Sequence, residues 1–478
     1  MSWQSTVYNR LKIRKNQKRI ILDKTGVLLH ASFLKYLKAK EIDFVILNSL
    51  PDILVEAGSN DYGIVLSLFR ELPSSLSNKI DVTAFDYNLL PIDIEYPLAL
   101  SLSTDNLIAL LCFYNDSGRT SLITESNIKN EIVASEKHHM EINCAALKDK
   151  ILVLLQQAIN HYDEILEMGR LWGEYVYLCY EIEINPDYML LKTIDQNTEK
   201  VVLDGCLKHS FHESSNNLKT VDKIRSHIKQ KNKSKIALIC FDAMGVAEWR
   251  LLEKYLSALG FNFSEKYLFA LIPTITSISR SAIYYGTYES VYSLGSINDE
   301  KQFNDYFKNR FCRFYREGEI KNEDSVLGVD IVSVIYNFFD DFAHDTKLPP
   351  GEQTKTIYFK NVLSYLEKSR IKDELILLKK LGYSIFFCSD HGSVVAQGNG
   401  QKIDKYLIEQ SCKRATLINK SELANAYDAN QYEIPFITDK IALLAKDRTI
   451  FASKKETKIS HGGITLDELI VPFVEILN

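Results

Sequence analysis

Several features that would point to a particular compartment or cofactor are missing from this sequence of 478 residues. Its eight cysteines form no Cys-x-x-Cys pair and several lie inside apolar runs, which favours buried, reduced thiols over disulfides or a structural zinc knot. No run approaches the ~18 apolar residues needed to span a bilayer. The polar, basic N-terminal segment lacks the apolar stretch of a signal peptide. We therefore expect a cytoplasmic protein with no membrane association.

Two further absences narrow the class of ligand. The formal net charge is −5, so the molecule as a whole does not attract nucleic acid. The net charge does not exclude a local basic groove. The N-terminal half has no glycine-rich phosphate-binding motif, because Gly26, Gly58 and Gly63 do not have the spacing of one. These absences exclude neither a metal-dependent enzyme nor a binding module.

The apolar patterns divide the chain into four regions. Residues 1–17 are expected to be a polar lead, with its basic side chains in a solvated, poorly ordered tail rather than on nucleic acid. Residues 18–140 alternate short apolar runs with helical patterns, which favours a small α/β domain. Residues 141–235 show long helices that bury one stripe, followed from residue 207 by a polar linker. Residues 236–478 are typical of a doubly wound domain with a largely parallel sheet.

Chemically active side chains follow the predicted strands of this last region. In a doubly wound sheet, ligands bind beyond the carboxyl ends of the strands, so these side chains are candidates for one site. They are Asp242 after "IALICF", Thr274 and Thr276 after "YLFALIP", Asp340 and His344 after "DIVSVIYNFF", Asp390 and His391 after "YSIFFCS", and His461 after "KIS".

Each of these residues alone has an ordinary structural explanation. An aspartate after a strand often caps the next helix, a threonine after proline often belongs to a turn, and a single histidine is more often a satisfied polar residue than a ligand. The set is harder to explain in this way. Of ten histidines, the three that follow residue 227 all lie at a predicted strand exit or one turn from an exit aspartate.

Three aspartates, three histidines and a hydroxyl group fit two metal ions. Mixed imidazole and carboxylate ligands favour zinc, with manganese or iron as alternatives and calcium disfavoured. Two ions ~3.5–4 Å apart suit displacement at phosphorus, because they stabilise both the attacking and the leaving oxygen. The hydroxyl group then makes sense as a nucleophile at a helix N-terminus, where a phosphoryl group would rest.

The order Asp, Thr, Asp-x-x-x-His, Asp-His, His resembles that of the alkaline phosphatase superfamily. Within it, residues 236–478, about half of the chain, resemble the PglZ domain. The stretches that carry the resemblance are "FDAMG", "LIPTITSISRSAIYYG", "NFFDDFAH", "SDHG" and "SHGGITLDELIVP". The resemblance implies an alkaline-phosphatase-like α/β fold for this half, with a doubly wound, mostly parallel sheet. The smaller α/β domain and the helical segment would precede it.

The resemblance also implies a ligand set and a nucleophile. Thr276 would attack, rather than Thr274, because it aligns with the second threonine of the Pro-Thr-x-Thr motif of superfamily phosphodiesterases. One metal ion would be surrounded by Asp242, Thr276, Asp390 and His391, and the other would be held by Asp340, His344 and His461.

One position departs from the family pattern, and another offers two candidate residues for one role. Where the phosphodiesterases have a phosphate-binding asparagine, this chain has Ser279 followed by Arg280. Arg280 is a candidate phosphate ligand, and a surface or lid arginine is the alternative. Asp341 lies next to Asp340, but only Asp340 gives the four-residue step to His344.

The implied activity is that of a zinc-dependent phosphodiesterase or nuclease. Thr276 would form a phospho-threonine or nucleotidyl-threonine that water then hydrolyses. The resemblance implies phosphodiester substrates, such as nucleotides, oligonucleotides or DNA, and a place in bacterial phage defence of the BREX type, with other defence proteins as partners. Two alternatives stay open: a phosphomonoesterase on the same scaffold, and a metal-binding but weakly active interaction module of a defence complex.

Overall fold

The computed structural model describes residues 2–58, 63–69, 71–73, 81–157, 161–205, 217–287, 291–292, 298–403, 410–420, 427–434 and 437–477. The chain divides into two compact units, Met1–Asn143 and Cys144–Asn478. The first unit contains a parallel sheet, and the main sheet of the second unit is mostly parallel.

The helices of the first unit are α1 (Trp3–Arg10), α2 (Ala31–Ala39), α3 (Leu50–Gly58), α4 (Tyr96–Ser101) and α5 (Thr104–Ser117), and α6 (Ile128–Leu155) runs past its boundary. The helices of the second unit are α7 (Tyr162–Glu181), α8 (Tyr188–Leu203), α9 (Ile224–Gln230), α10 (Val246–Ser257), α11 (Thr276–Tyr285), α12 (Asp299–Tyr306), α13 (Phe338–Asp345), α14 (Thr356–Leu366), α15 (Ile371–Lys380) and α16 (Leu466–Leu469). Short 3-10 turns span Val27–Leu29, Tyr87–Leu89, Val221–Lys223 and Glu323–Val326.

The strands of the first unit are β1 (Arg19–Asp23), β2 (Phe44–Ile46), β3 (Ile64–Ser67) and β4 (Val82–Phe85). Those of the second unit are β5 (Ile236–Phe241), β6 (Asn262–Phe269), β7 (Cys312–Arg316), β8 (Ile331–Tyr336), β9 (Ser384–Ser389), β10 (Val394–Gly398), β11 (Gln410–Ser411), β12 (Ala415–Asn419), β13 (Ala429–Glu433), β14 (Lys440–Ala445), β15 (Thr449–Ile450), β16 (Thr457–Ser460) and β17 (Ile470–Leu477).

The first unit has a four-stranded parallel sheet in the order β2-β3-β1-β4. Its core includes residues of the segment that was predicted to be a solvated, poorly ordered tail. Trp3 and Val7 of α1 are buried, and the ring of Trp3 stacks on that of Phe33 at a centroid distance of 6.1 Å. The prediction of a solvated tail over residues 1–17 was therefore wrong: an apolar stripe, continued by Leu11 and Ile13, lies between the basic residues and is buried in this core.

The second unit is built on a six-stranded sheet in the order β6-β17-β9-β5-β8-β7. Strands β5, β7, β8 and β9 are mutually parallel, and β17 runs antiparallel between β6 and β9. Every residue of β5 and β8 is buried, as expected for central parallel strands covered on both faces. This architecture explains why their sequences are continuous apolar runs rather than alternating ones.

Two smaller sheets lie between β9 and β17 in the sequence, and the apolar patterns did not predict them. One pairs β10 with β15 and β16, and the other has the order β11-β12-β14-β13. Strand β16 ends at Ser460, directly before His461, so this insertion positions one of the predicted ligands.

The stretch predicted to be a linker, 207–235, is only partly described. Residues 206–216 lie outside the described residues. From Val221 onward the chain forms a 3-10 turn and α9, and it buries Val221, Ile224 and Ile228. This part is therefore not a linker, because its apolar residues recur at helical spacing and pack inside the second unit.

No helix within the described ranges is long and apolar enough to cross a membrane.

Candidate metal centre

The centre is built where two neighbouring parallel strands end. Strands β5 and β9 pair in register, with Phe241 opposite Ser389, so the residues that follow them, Asp242 and Asp390, leave the sheet side by side. The carboxyl ends of adjacent parallel strands meet at one edge of a sheet, which is why side chains far apart in sequence converge there.

Asp242, Asp390 and His391 form a cluster that we call the inner triad. One potential ligand atom from each lies within 4.8 Å of the others, and all three residues are buried. Nε2 of His391 is 3.7 Å from Oδ1 of Asp242 and 3.8 Å from Oδ2 of Asp390. These separations leave room for one cation bound by all three groups.

Asp340, His344 and His461 form a second cluster, the outer triad, in which one potential ligand atom from each residue also lies within 4.8 Å of the others. Asp340 and His344 lie one turn apart on α13, so they share a face of that helix, and the facing atoms are 3.3 Å apart. Nε2 of His461 is 3.8 Å from Oδ1 of Asp340. The side chain of His344 is 54% exposed, so this triad opens to solvent.

The two triads are adjacent. The rings of His391 and His461 stack with centroids 4.1 Å apart and planes inclined by 12°. One histidine from each triad therefore contacts the other triad, which is the arrangement that a pair of neighbouring ions would require.

Thr276 is the first residue of α11 and its hydroxyl group lies beside the inner triad. Its Oγ1 is 2.9 Å from Nε2 of His391 and 3.5 Å from Oδ1 of Asp242. A ten-residue helix begins at this point, so its first amides add partial positive charge next to the hydroxyl group.

The two residues predicted to contact phosphate have different positions. Ser279 is fully buried, and its Oγ accepts a 2.7 Å hydrogen bond from the amide of Leu271, so the prediction that it contacts phosphate is not supported. Arg280 does reach the centre. Its Nη1 donates to Oδ2 of Asp242 at 2.8 Å, and its Nε donates to Asp299 at 3.4 Å.

Asp340 and Asp341 also differ in position. Asp341 is exposed, whereas Asp340 is directed at the two histidines of its triad. The i,i+4 step to His344 was the sequence feature that separated them.

Unpaired buried oxygens indicate that the residues present fit metal ions. Oδ1 of Asp340 and Oδ2 of Asp390 are buried and have no hydrogen-bond donor among the described residues. The other oxygen of Asp390 accepts from the amides of Ala243 and His391 at 3.2 and 2.9 Å. A buried carboxylate oxygen without a partner is costly, and a bound cation would satisfy it.

The histidines are oriented as metal ligands usually are. Nδ1 of His391 lies 3.1 Å from the carbonyl oxygen of Gly392, and Nδ1 of His461 lies 3.0 Å from that of Thr274. Because a carbonyl can only accept, Nδ1 carries the proton in both rings and Nε2 keeps a free electron pair for an ion.

Burial shapes the titration of the inner triad. Burial, together with the negative charge of Asp390, raises the pKa of Asp242 to about 7. Burial likewise raises the pKa of Asp390 to about 6. The protein alone therefore stabilises the ionised carboxylates poorly, and a divalent cation is the group that would stabilise them.

The outer triad titrates differently because its acid is paired with imidazoles. Burial, and then the charge of His391, lower the pKa of His461 to about 4, so its neutral, ligating form prevails at pH 7. The hydrogen bond with Asp340 raises the pKa of His344. Burial opposes ionisation of Asp340, but the bond with His344 and the nearby imidazoles outweigh it and lower its pKa.

Close backbone approach explains the glycines of the two histidine motifs. A Cβ atom on Gly392 would lie 1.9 Å from the carbonyl oxygen of Asp467. Gly462 has φ +120°, and a Cβ there would lie 2.2 Å from Sγ of Cys412. In both motifs, glycine lets the loop behind the ligand pack directly against a neighbouring segment.

The sequence matches a family model described as the BREX system PglZ alkaline phosphatase-like domain over residues 221–476, more than half of the chain. The match confirms the family resemblance found in the motifs, and it begins at the 3-10 turn rather than at residue 236. Together with the mostly parallel six-stranded sheet, it confirms the predicted alkaline-phosphatase-like α/β fold. No curated protein matches the chain significantly.

The chain is weakly similar to several solved structures. Murine ectonucleotide pyrophosphatase/phosphodiesterase 5 is 13% identical over 50% of this chain and 87% of its own, with a TM-score of 0.34, and the human protein gives the same values. Phosphonoacetate hydrolase from Sinorhizobium meliloti 1021 is 11% identical over 50% of this chain and 89% of its own, with a TM-score of 0.31.

Proposed function

The chain belongs to the family of BREX system PglZ alkaline phosphatase-like domains, and from that premise we propose that it is a metal-dependent phosphodiesterase of the nuclease type with Thr276 as its nucleophile. The observation that carries the proposal is the position of the Thr276 hydroxyl group. It lies 2.9 Å from Nε2 of His391 at the start of α11, beside two adjacent triads of metal-ligating side chains.

The residues that would hold the ions follow from the two triads. Asp242, Asp390 and His391, with Thr276, would surround one divalent ion, and Asp340, His344 and His461 would hold the other. When bound, the two ions would supply positive charge for the phosphate oxygens and for the attacking and leaving oxygens. Zinc suits this mixture of imidazole and carboxylate, with manganese as the alternative.

The chain's own residues bind and attack the phosphoryl group. Oγ1 of Thr276 forms a bond to phosphorus as the bond from phosphorus to the leaving oxygen breaks, and the hydroxyl proton passes through water to the leaving oxygen. A water molecule then attacks the same phosphorus, the bond from phosphorus to Oγ1 breaks, and a proton of that water passes to Oγ1 and restores the hydroxyl group. The amides at the start of α11 and the guanidinium group of Arg280 orient the non-bridging oxygens during both steps.

The proposed substrates are phosphodiesters: a nucleotide, an oligonucleotide or DNA. The proposed setting is bacterial phage defence, with other proteins of the defence system as partners, and the support is the BREX system named in the family description. The cytoplasmic location expected from the sequence stays a prediction.

A phosphomonoesterase is the second candidate, and Arg280 favours it. A monoester carries one more negative charge than a diester, and the guanidinium group beside Asp242 adds a cation where that charge would lie. For a phosphomonoesterase, we expect Arg280→Ala to reduce monoester hydrolysis more than diester hydrolysis.

Hydrolysis of bis-p-nitrophenyl phosphate and p-nitrophenyl phosphate by the Zn²⁺-loaded and chelator-treated protein tests the proposal. We expect faster release from the diester and loss of both activities in chelator, with recovery on adding Zn²⁺. Faster release from the monoester would favour the second candidate. No release from either ester by a chain that holds two ions would favour an interaction module, which pull-down of a defence protein would then support.

A further inference from the structure

Four hydrogen bonds join two loops of the centre that are almost 190 residues apart in sequence. The backbone oxygen of Thr274 accepts from Nδ1 of His461 at 3.0 Å, and its amide donates to the oxygen of Gly462 at 3.3 Å. The Thr274 hydroxyl group accepts from the amide of Gly462 at 3.0 Å and donates to the oxygen of Gly463 at 2.9 Å. Thr274 is completely buried.

The proton of this hydroxyl group is already committed to a hydrogen bond, so it is not available for donation elsewhere. The hydroxyl group carries one proton, which goes to Gly463, and it receives the Gly462 amide proton. Serine could make both bonds, whereas valine has nearly the same shape but can make neither. Loss of the hydroxyl group would leave a buried N–H and a buried C=O unpaired on the two residues that follow His461.

Other contacts hold the same turn on its far side without reaching the imidazole. The amide of Gly463 donates to Oε1 of Glu468 at 2.8 Å, and Glu468 is paired with the buried Arg414 at 2.7 Å. Among the described residues, only Thr274 forms hydrogen bonds both with the ring of His461 and with the turn that follows it.

Thr274 also lies two residues before Thr276, at the entrance to α11. We infer that Thr274 is a positioning residue. Its hydrogen bonds hold the segment that carries Thr276 against the turn that carries His461, and so fix the position of the outer triad relative to the inner triad. This inference rests on the proposed function, because it assumes that the triads hold ions. Its consequence is that the Thr274 hydroxyl group controls the outer ion and leaves the inner ion unchanged.

Titration calorimetry of the metal-free full chain with Zn²⁺ tests the inference. We expect two sites in the wild type, and in Thr274→Val we expect one site to weaken by about 10–100-fold, the usual effect of removing a group that orients a ligand. Thr274→Ser should restore the wild-type affinity. Combining Thr274→Val with Asp390→Asn, which weakens the inner site by about 100-fold or more, identifies the site that Thr274→Val weakens as the outer one.

Thr346→Val is the matched control, because the hydroxyl group of Thr346 is buried next to α13 and has no hydrogen-bond partner among the described residues. It should leave both affinities unchanged. Equal weakening of both sites by Thr274→Val, no weakening at all, failure of serine to restore, or an unfolded valine variant in the presence of Zn²⁺ would each overturn the role of Thr274. A wild-type chain that binds no Zn²⁺ would instead refute the proposed function.

Discussion

Both units of this chain have an aspartate where a buried parallel strand ends, but among the described residues only those of the second unit form clusters that could hold a metal ion. In the first unit, Oδ1 of Asp23 accepts from the amide of Thr25 at 2.9 Å, the hydroxyl group of Thr25 at 2.8 Å and the amide of Gly26 at 3.0 Å. Its Oδ2 accepts from the amide of Leu28 at 2.8 Å. Both oxygens are satisfied, so the carboxylate organises a turn.

In the second unit, Asp390 is equally buried, but its Oδ2 has no donor among the described residues and points toward Nε2 of His391, 3.8 Å away. The comparison teaches that an acid at a strand exit does not identify a site. What distinguishes the second unit is the carboxylate oxygen left without a donor and the imidazoles that face it.

The largest expected effect separates the two threonines. Thr276→Ala removes the proposed nucleophile and should lower the turnover of the Zn²⁺-loaded protein by about 10⁴-fold or more, with two ions still bound. Thr25→Ala removes a hydroxyl group that bonds only within its turn, and should cost about 1–2 kcal/mol of stability with turnover unchanged. Ester hydrolysis and urea denaturation measure the two effects, and unchanged hydrolysis by Thr276→Ala would remove the nucleophile from the account.

The aspartates should differ in the same way. Asp390→Asn should weaken binding of the inner ion by about 100-fold or more, while the metal-free protein at pH 8 stays at least as stable, because a buried charge has been removed. Asp23→Ala should instead lower the free energy of unfolding by about 2–3 kcal/mol, because buried amides lose their acceptor, and leave metal binding unchanged. Equal metal binding by the wild type and Asp390→Asn would show that Asp390 is not a metal ligand.

Substitution of three histidines should reduce metal binding to different extents. His461→Ala should release the outer ion, so that metal analysis finds one ion per chain. His344→Ala should weaken the same ion less, because His344 is half exposed and water can replace it as a ligand. His30 of the first unit caps α2 and belongs to neither metal-ligating cluster found among the described residues, so His30→Ala should leave metal content at two. Two ions per chain in His461→Ala would show that His461 is not a ligand.

Metal binding by the inner triad should also depend on pH. The folded, metal-free pKa of Asp242 is raised to about 7 and that of Asp390 to about 6, above the usual range for aspartate, so protons compete with the inner ion as the pH falls. Affinity should drop by about tenfold per pH unit for each carboxyl group that becomes protonated below those values. Calorimetry from pH 8 to pH 5 measures it, and a flat profile would contradict the proposed inner ligands.

The same raised pKa values predict the stability of the metal-free protein. A carboxyl group whose pKa is higher in the folded than in the unfolded state binds more protons when folded, so its contribution to stability falls as the pH rises from about 4 to about 7. Zn²⁺ should therefore raise the melting temperature more at pH 8 than at pH 5. His461, whose folded pKa is lowered to about 4, acts in the opposite sense below pH 6.5.

The sequence was most informative where one local pattern decided the outcome. The apolar runs ending in Asp242 and in Asp390-His391 predicted two buried strands of one sheet, and the four-residue step predicted the pairing of Asp340 with His344. It failed where a residue's environment came from distant segments. Thr274 bonds to the turn after His461 and Trp3 packs on Phe33, and neither contact has a local sequence pattern.

Anomalous scattering from crystals of the Zn²⁺-loaded chain tests the central claim most directly. The account predicts two zinc peaks per chain, one among Asp242, Asp390 and His391 and one among Asp340, His344 and His461, with the Thr276 hydroxyl group beside the first. A single peak, no peak, or zinc bound away from these six side chains would contradict it.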